Sequence, residues 1–254
     1  MEEHGGSYVI TVHGGKLLLF TGDSITAAGW PEVAGGFVDQ INAQIPTVVA
    51  PRYSVPTTNS GTILRPGSTS STVRAVSHQS TIRTVNTGIA GNQTSDIAAA
   101  VPTRITNYNP DIIVILIGIN DCINSISLGT STTNYTSILT QIRAWSSTVQ
   151  IACLSLLCYG EHWASGPLSW GPNAPALLDG PIAAFNSMVQ GLCVTYNCTY
   201  VDARTPLLTW ESQNNTPEPG LQNGPFAGGG PHPLVPSGQI LLGGWVLPSF
   251  TVIP

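Results

Sequence analysis

Short, continuously apolar runs alternate along this chain with stretches whose apolar residues recur every three or four positions. Leu17–Phe20, Thr81–Asn86, Asp111–Ile117, Val149–Leu157 and Thr199–Asp202 read as strands. Runs without a polar alternate face belong to a parallel sheet covered on both sides. Between them, Glu32–Ile45 has helical spacing through Val33, Phe37, Val38, Ile41 and Ile45. A second helix is predicted from a cap at Thr94 or Ser95 to about Tyr108, with Pro102 expected to kink it. Further helices are predicted over Thr133–Trp145 and Pro181–Tyr196, and Ser237–Val246 begins a last one. Strands alternating with helices define an α/β chain with a parallel sheet between two helical layers.

Two regions depart from that alternation. Ser7–Val12 alternates polar and apolar before the turn residues His13-Gly14-Gly15, which predicts an N-terminal hairpin onto Lys16–Phe20. Residues 46–80 are rich in Pro, Ser, Thr and Gly with short β-like pieces, and read as a β/loop insertion. At 254 residues, the whole of 1–254 is expected to be one domain.

Charge narrows the partners. Only 8% of the residues are charged, against about 25% in typical domains. The surface must therefore be built from Ser, Thr, Asn, Gln, Gly and Pro, which suits an extracellular or virion-associated protein. A net charge of −5 with eight dispersed Lys and Arg excludes a phosphate-binding face, so nucleic acid is not an expected partner. No stretch has the apolar length of a membrane span, and Met1-Glu2-Glu3-His4 is acidic where a signal peptide would be basic. The five cysteines are an odd number and form no framework. Cys193/Cys198 and Cys153/Cys158 have spacings that a short turn would close, but buried free thiols are the expectation. His4, His13, His78 and His162 lack paired ligand spacing, so neither a metal nor a cofactor is implied.

The candidate chemistry sits in four blocks. Gly22-Asp23-Ser24-Ile25-Thr26 carries a hydroxyl out of the first core strand. Asn86–Asn92 follows the second strand, and Gly118-Ile119-Asn120-Asp121 follows the third. Pro231-His232-Pro233 follows the fifth. In a doubly wound sheet such strand ends share one edge, where ligands bind.

These blocks resemble the SGNH/GDSL hydrolase family, and the resemblance spans nearly the whole chain. It implies a five-stranded flavodoxin-like sheet of order 2-1-3-4-5. It also implies Ser24 as nucleophile, His232 as general base, and an oxyanion hole of the Ser24 and Gly91 N–H groups with the Asn120 side-chain amide. Gly88 is a rival for the role of Gly91, and Asp23 and Asp121 read as structural carboxylates that bind turn amides. The family's acid usually stands three residues before the histidine, where this chain has Gly229. Three substitutes are open: a backbone carbonyl of the Gly228–Pro231 loop, or a displaced carboxylate at Asp202 or Glu161. The implied activity is hydrolysis of small acyl esters, with O-acetyl groups on carbohydrate as the expected substrate. Trp30, Trp163 and Trp170 lie in loops suited to stack on sugar rings. The alternative is a carbohydrate-recognition or virion structural module of the same fold in which catalysis has weakened or been lost.

Overall fold

The computed structural model describes residues 10–13, 15–27, 37, 38, 41, 63, 64, 83–157, 179–207, 209, 242–244 and 246–253. Its centre is a six-stranded parallel sheet of β2 (Leu17–Gly22), β3 (Ile63–Leu64), β4 (Arg83–Asn86), β5 (Ile112–Leu116), β6 (Gln150–Leu154) and β7 (Thr199–Val201). The spatial order is β3-β4-β2-β5-β6-β7. The five expected strands thus lie in the expected 2-1-3-4-5 order, and the short β3, from the insertion, extends the sheet by one edge strand. Every residue of β2 and of β5 is buried, which is why neither shows alternation in the sequence.

Four helices have both ends described: α1 (Thr94–Arg104), α2 (Ile119–Ile123), α3 (Leu128–Trp145) and α4 (Asp179–Tyr196). Helix α3 packs against both α1 and α4. Right-handed crossovers place these three on one face and, of the connection from β2 to β4, the described helical residues on the other. Of that connection, residues 37, 38 and 41 are helical. Phe37, Val38 and Ile41 are buried there as their spacing predicts, and the Phe37 ring meets Phe20 edge-on at 6.0 Å.

The expected N-terminal hairpin does not form. The strand β1 (Ile10–His13) pairs in parallel with β8 (Phe250–Ile253) as a separate two-stranded sheet. On Thr11 the side chain of Gln150 imitates a neighbouring strand, its Oε1 accepting from Thr11 N at 2.9 Å and its Nε2 donating to Thr11 O at 2.7 Å. Partners for the β1 backbone therefore come from β8 and Gln150 rather than from a hairpin, and periodicity alone does not say which partner a strand chooses.

Helix boundaries shifted for identifiable reasons. The cap of α1 is Gln93, not Thr94 or Ser95, because the Thr94 hydroxyl is committed to Asp121. This helix ends at Arg104, and a separate 3-10 turn covers Thr106–Tyr108. Pro102 has no N–H for the Ala98 carbonyl one turn back, and Gln141 Nε2 of α3 donates to that carbonyl instead, at 2.9 Å. Helix α3 starts five residues earlier than predicted because Ser127 Oγ caps it, accepting from Thr130 N at 3.1 Å.

Arg143 closes the far end of the helical layer. Its guanidinium donates to the carbonyls of Tyr196 (2.8 Å), Val149 (2.6 Å) and Asn197 (2.7 Å). Asn197 is left-handed with φ 51°, and Cys198 N returns to Cys193 O at 2.8 Å. Cys122, Cys153, Cys193 and Cys198 are buried and not joined in disulfides with one another; Cys158 lies outside the described residues. Arg143→Ala leaves three carbonyls short of a donor and should lower unfolding free energy by about 2–3 kcal/mol. Arg143→Lys should recover less than half of that loss, since one ammonium cannot span the fork. Urea denaturation of both variants checks this, and a lysine variant as stable as the wild type would contradict it.

Candidate active site

The carboxyl ends of β2, β4 and β5 are bound into one cluster by short polar contacts. After β2, Asp23–Ala27 forms a single helical turn closed by Ala27 N donating to Asp23 O at 2.9 Å. Asp23 Oδ1 caps this turn, accepting from Ile25 N at 2.9 Å. Ser24 sits inside the turn with 5% of its surface exposed, and its N–H is one of the donors at the start of a helical turn. The loop after β4 lies directly against it. Asn86 Nδ2 donates to Thr26 O at 2.7 Å, while Asn86 Oδ1 accepts from Gly88 N at 2.9 Å. Thr87 N and Ile89 N donate to Phe20 O and Gly22 O, at 2.8 and 3.1 Å.

That geometry separates the two glycines. A Cβ on Gly88 would lie 2.5 Å from Ala27 N, so its lack of a side chain lets the two loops touch. Its N–H is already held by Asn86, which removes it as an oxyanion donor. Gly91 has φ +81° and open space where a Cβ would stand. Among the described residues nothing accepts its N–H.

Asn120 lies in the first turn of α2, after Gly118 at φ +126°. A Cβ on Gly118 would be 2.1 Å from the Phe185 ring. The amide of Asn120 reaches the Gly91 loop, Nδ2 donating to Asn92 O at 2.9 Å, and the second N–H of the same nitrogen remains for another acceptor. Asp121, 1% exposed, fastens the α2 segment to two helices. It accepts from Thr94 N (2.9 Å), Thr94 Oγ1 (2.5 Å) and Ser131 Oγ (3.0 Å). Asp23 thus binds a turn amide, whereas Asp121 binds the first amide of α1 and two hydroxyls.

Asp202 is exposed at the end of β7, and its Oδ1 accepts from Arg204 N and Thr205 N, both at 3.0 Å. Nearby, Ser155 Oγ after β6 accepts from Ala203 N and Arg204 N, and Arg204 Nη1 donates to Leu157 O. His232, Glu161 and the loop tryptophans lie outside the described residues, as does most of 46–80. The structure therefore brings Gly91 and Asn120 together beside the Ser24 turn and leaves Asp202 capping a turn of its own. Sequence reasoning missed Asn86, Asn92 and Arg104. Their signal was present: a polar residue ending an apolar strand, the neighbour of the glycine expected to serve the oxyanion hole, and one of only eight basic residues.

A doubly wound sheet carrying these loops at its carboxyl edge defines an α/β protein of the SGNH hydrolase class. The chain belongs to the GDSL-like Lipase/Acylhydrolase family, whose model matches residues 20–224. A search of the curated proteins returned no significant match. Among solved structures it is similar to a putative GDSL-like lipase from Parabacteroides merdae, with TM-score 0.67 and 16% identity over 95% of this chain and 98% of that one. LAE5, an α/β hydrolase enzyme from the metagenome of Lake Arreo, gives TM-score 0.63 and 19% identity over 96% and 97%. An acetyl xylan esterase from Geobacillus stearothermophilus gives TM-score 0.63 and 18% identity over 94% and 95%.

Electrostatics single out Asp23. Burial pushes its pKa up to about 7 against the ordinary 3.8, opposed by the Ile25 N–H and assisted by the charge of Asp121. Its Oδ2 is buried without a hydrogen-bond partner among the described residues. Between pH 3.8 and about 7 the folded chain holds a proton that the unfolded chain has released. Stability due to this group is therefore present below that window and lost as pH rises through it. Asp23→Asn keeps the acceptor for Ile25 N but cannot ionise. Over that window the wild type should lose stability relative to the variant, by up to about 1.4 kcal/mol per pH unit. Urea midpoints at several pH values check this, and a difference independent of pH would contradict it.

Proposed function

We propose that the protein is a serine esterase that hydrolyses small acyl esters, with O-acetyl groups on carbohydrate as its substrate class. Ser24 is the nucleophile and His232 the general base. Ser24 N–H, Gly91 N–H and Asn120 Nδ2 receive the oxyanion. The observation that carries this reading is the bond from Asn120 Nδ2 to Asn92 O. It holds the amide of one block against the loop of Gly91, whose N–H has no acceptor among the described residues, in contact with the turn that bears Ser24. The acetyl xylan esterase among the structural neighbours supports the choice of acyl group, and the low charge of the chain suits a neutral glycan.

The steps follow from these groups. Ser24 Oγ attacks the ester carbonyl carbon while His232 takes its proton. The carbonyl oxygen gains the charge, which the three N–H donors stabilise, each by roughly 3–4 kcal/mol. Collapse expels the alcohol, which receives its proton from His232, and water then repeats the sequence on the acyl-Ser24. The imidazolium needs an acceptor for its Nδ1–H. A backbone carbonyl of the Gly228–Pro231 loop is preferred over Asp202, because Asp202 Oδ1 already caps the turn after β7. Glu161 is the remaining carboxylate. Gly229 in the acid's usual place favours one other reading, a carbohydrate-recognition or virion module whose catalysis is weak or lost.

Hydrolysis of p-nitrophenyl acetate separates these readings. Ser24→Ala and His232→Ala should each lower kcat by about 10⁴-fold or more, and Asn120→Ala by about 10²–10³-fold. Turnover that survives Ser24→Ala would sink the nucleophile assignment. No wild-type turnover, with acetylated xylo-oligosaccharide still bound, would favour the module. For the third group, Asp202→Asn and Glu161→Gln should change kcat only a few-fold, whereas a loss of about 10⁴ in either would transfer the role to that carboxylate.

A further inference from the structure

Arg104 ends α1, yet its side chain runs back to the catalytic edge of the sheet. Its Nη2 donates to Thr87 O and to Gly22 O, the latter at 3.4 Å, and its Nη1 donates to Asn92 Oδ1. The guanidinium is half-buried, and its Nε–H is buried with no acceptor among the described residues. Burial works against its charge, and the Asp96 carboxylate works in its favour. A cation held this way costs desolvation energy that a surface position would avoid.

The acceptors explain the arrangement. Gly22 O belongs to the strand end that delivers Ser24, and Thr87 O belongs to the start of the loop that delivers Gly91. Asn92 Oδ1 is the side chain of the residue whose own carbonyl takes Asn120 Nδ2, at 2.9 Å. One planar fork therefore touches two segments directly and reaches the third through Asn92. Only a guanidinium offers donors to three acceptors in fixed mutual directions.

We propose that Arg104 is a positioning residue that sets the distance between the Ser24 nucleophile and the Gly91–Asn120 donor pair. It touches no substrate atom and acts through Gly22, Thr87 and Asn92. The inference rests on the esterase reading above. Without the fork, Asn92 loses its side-chain anchor and the donor pair drifts relative to Ser24. A displacement of about 1 Å at a reacting centre costs about 100-fold in rate.

The test uses the full chain, p-nitrophenyl acetate, and thermal unfolding in parallel. Arg104→Ala should lower kcat about 10- to 100-fold while KM stays within about 2-fold. Guanidinium ion at millimolar concentration should restore part of kcat in this variant and none in the wild type. Arg104→Lys keeps the charge without the fork and should show the kcat loss in a folded protein, so it decides the matter if the alanine variant does not fold. In a cycle with Asn120→Ala, the second substitution should cost far less than it does alone, because both act on the same donor. Wild-type kcat in Arg104→Ala or Arg104→Lys, or additive losses in the cycle, would overturn the proposal. Activity that persists in Ser24→Ala instead overturns the esterase assignment. An inactive Ser24→Ala beside a fully active Arg104→Ala removes only the role of Arg104.

Discussion

The backbones at the ends of β4, β2 and β5 approach more closely than side chains would permit, and the candidate site depends on that contact. A Cβ on Gly22 would stand 2.0 Å from Leu116 O and 2.3 Å from Thr26 Oγ1. One on Gly88 would collide with the Ala27 backbone. Because these positions are bare, Gly22 O can accept from Ile89 N while Thr26 O accepts from Asn86. Three loops about 30 or more residues apart in sequence thus become a single polar surface. The buried apolar strands below supply the rigidity, since a sheet with both faces packed has little freedom to shift register.

Two buried carboxylates sit within this contact and are treated differently. Asp121 is surrounded by donors: the Thr94 amide and hydroxyl and the Ser131 hydroxyl. Asp23 has one amide on one oxygen and no partner on the other among the described residues. A charge deprived of donors is expensive to bury, and the raised pKa of Asp23 expresses that cost. Unequal sets of donors divide the two carboxylates by role. Here the division serves packing: the well-solvated member fixes α2 to α1 and α3, and the poorly solvated one caps the Ser24 turn.

Much of this was legible in the sequence because burial writes a simple pattern. Leu17–Phe20 and Ile112–Leu116 are apolar throughout, and the structure buries them on both faces. The 3.6-residue spacing of Phe37, Val38 and Ile41 marked a core-facing helix. Partner choice was not legible. Ser7–Val12 alternates as a hairpin strand would, but β8, more than two hundred residues away, and a glutamine side chain are the partners of Ile10–His13. Thr94 looked like a cap until a buried carboxylate claimed its hydroxyl. Arg104 carried no signal of its partners, and only coordinates show it reaching back to Gly22 and Thr87. Such long-range polar contacts leave no periodic trace.

On the proposed esterase reading, the contact between strand ends makes Ser24 the reactive hydroxyl of the chain. A serine-directed phosphonate ester, reacted with the folded protein and followed by peptide mass spectrometry, tests this most directly. The account predicts a single adduct, on the peptide carrying Ser24, that does not form after denaturation in urea. An adduct on another serine, or ester hydrolysis that continues with Ser24 unmodified, would contradict it.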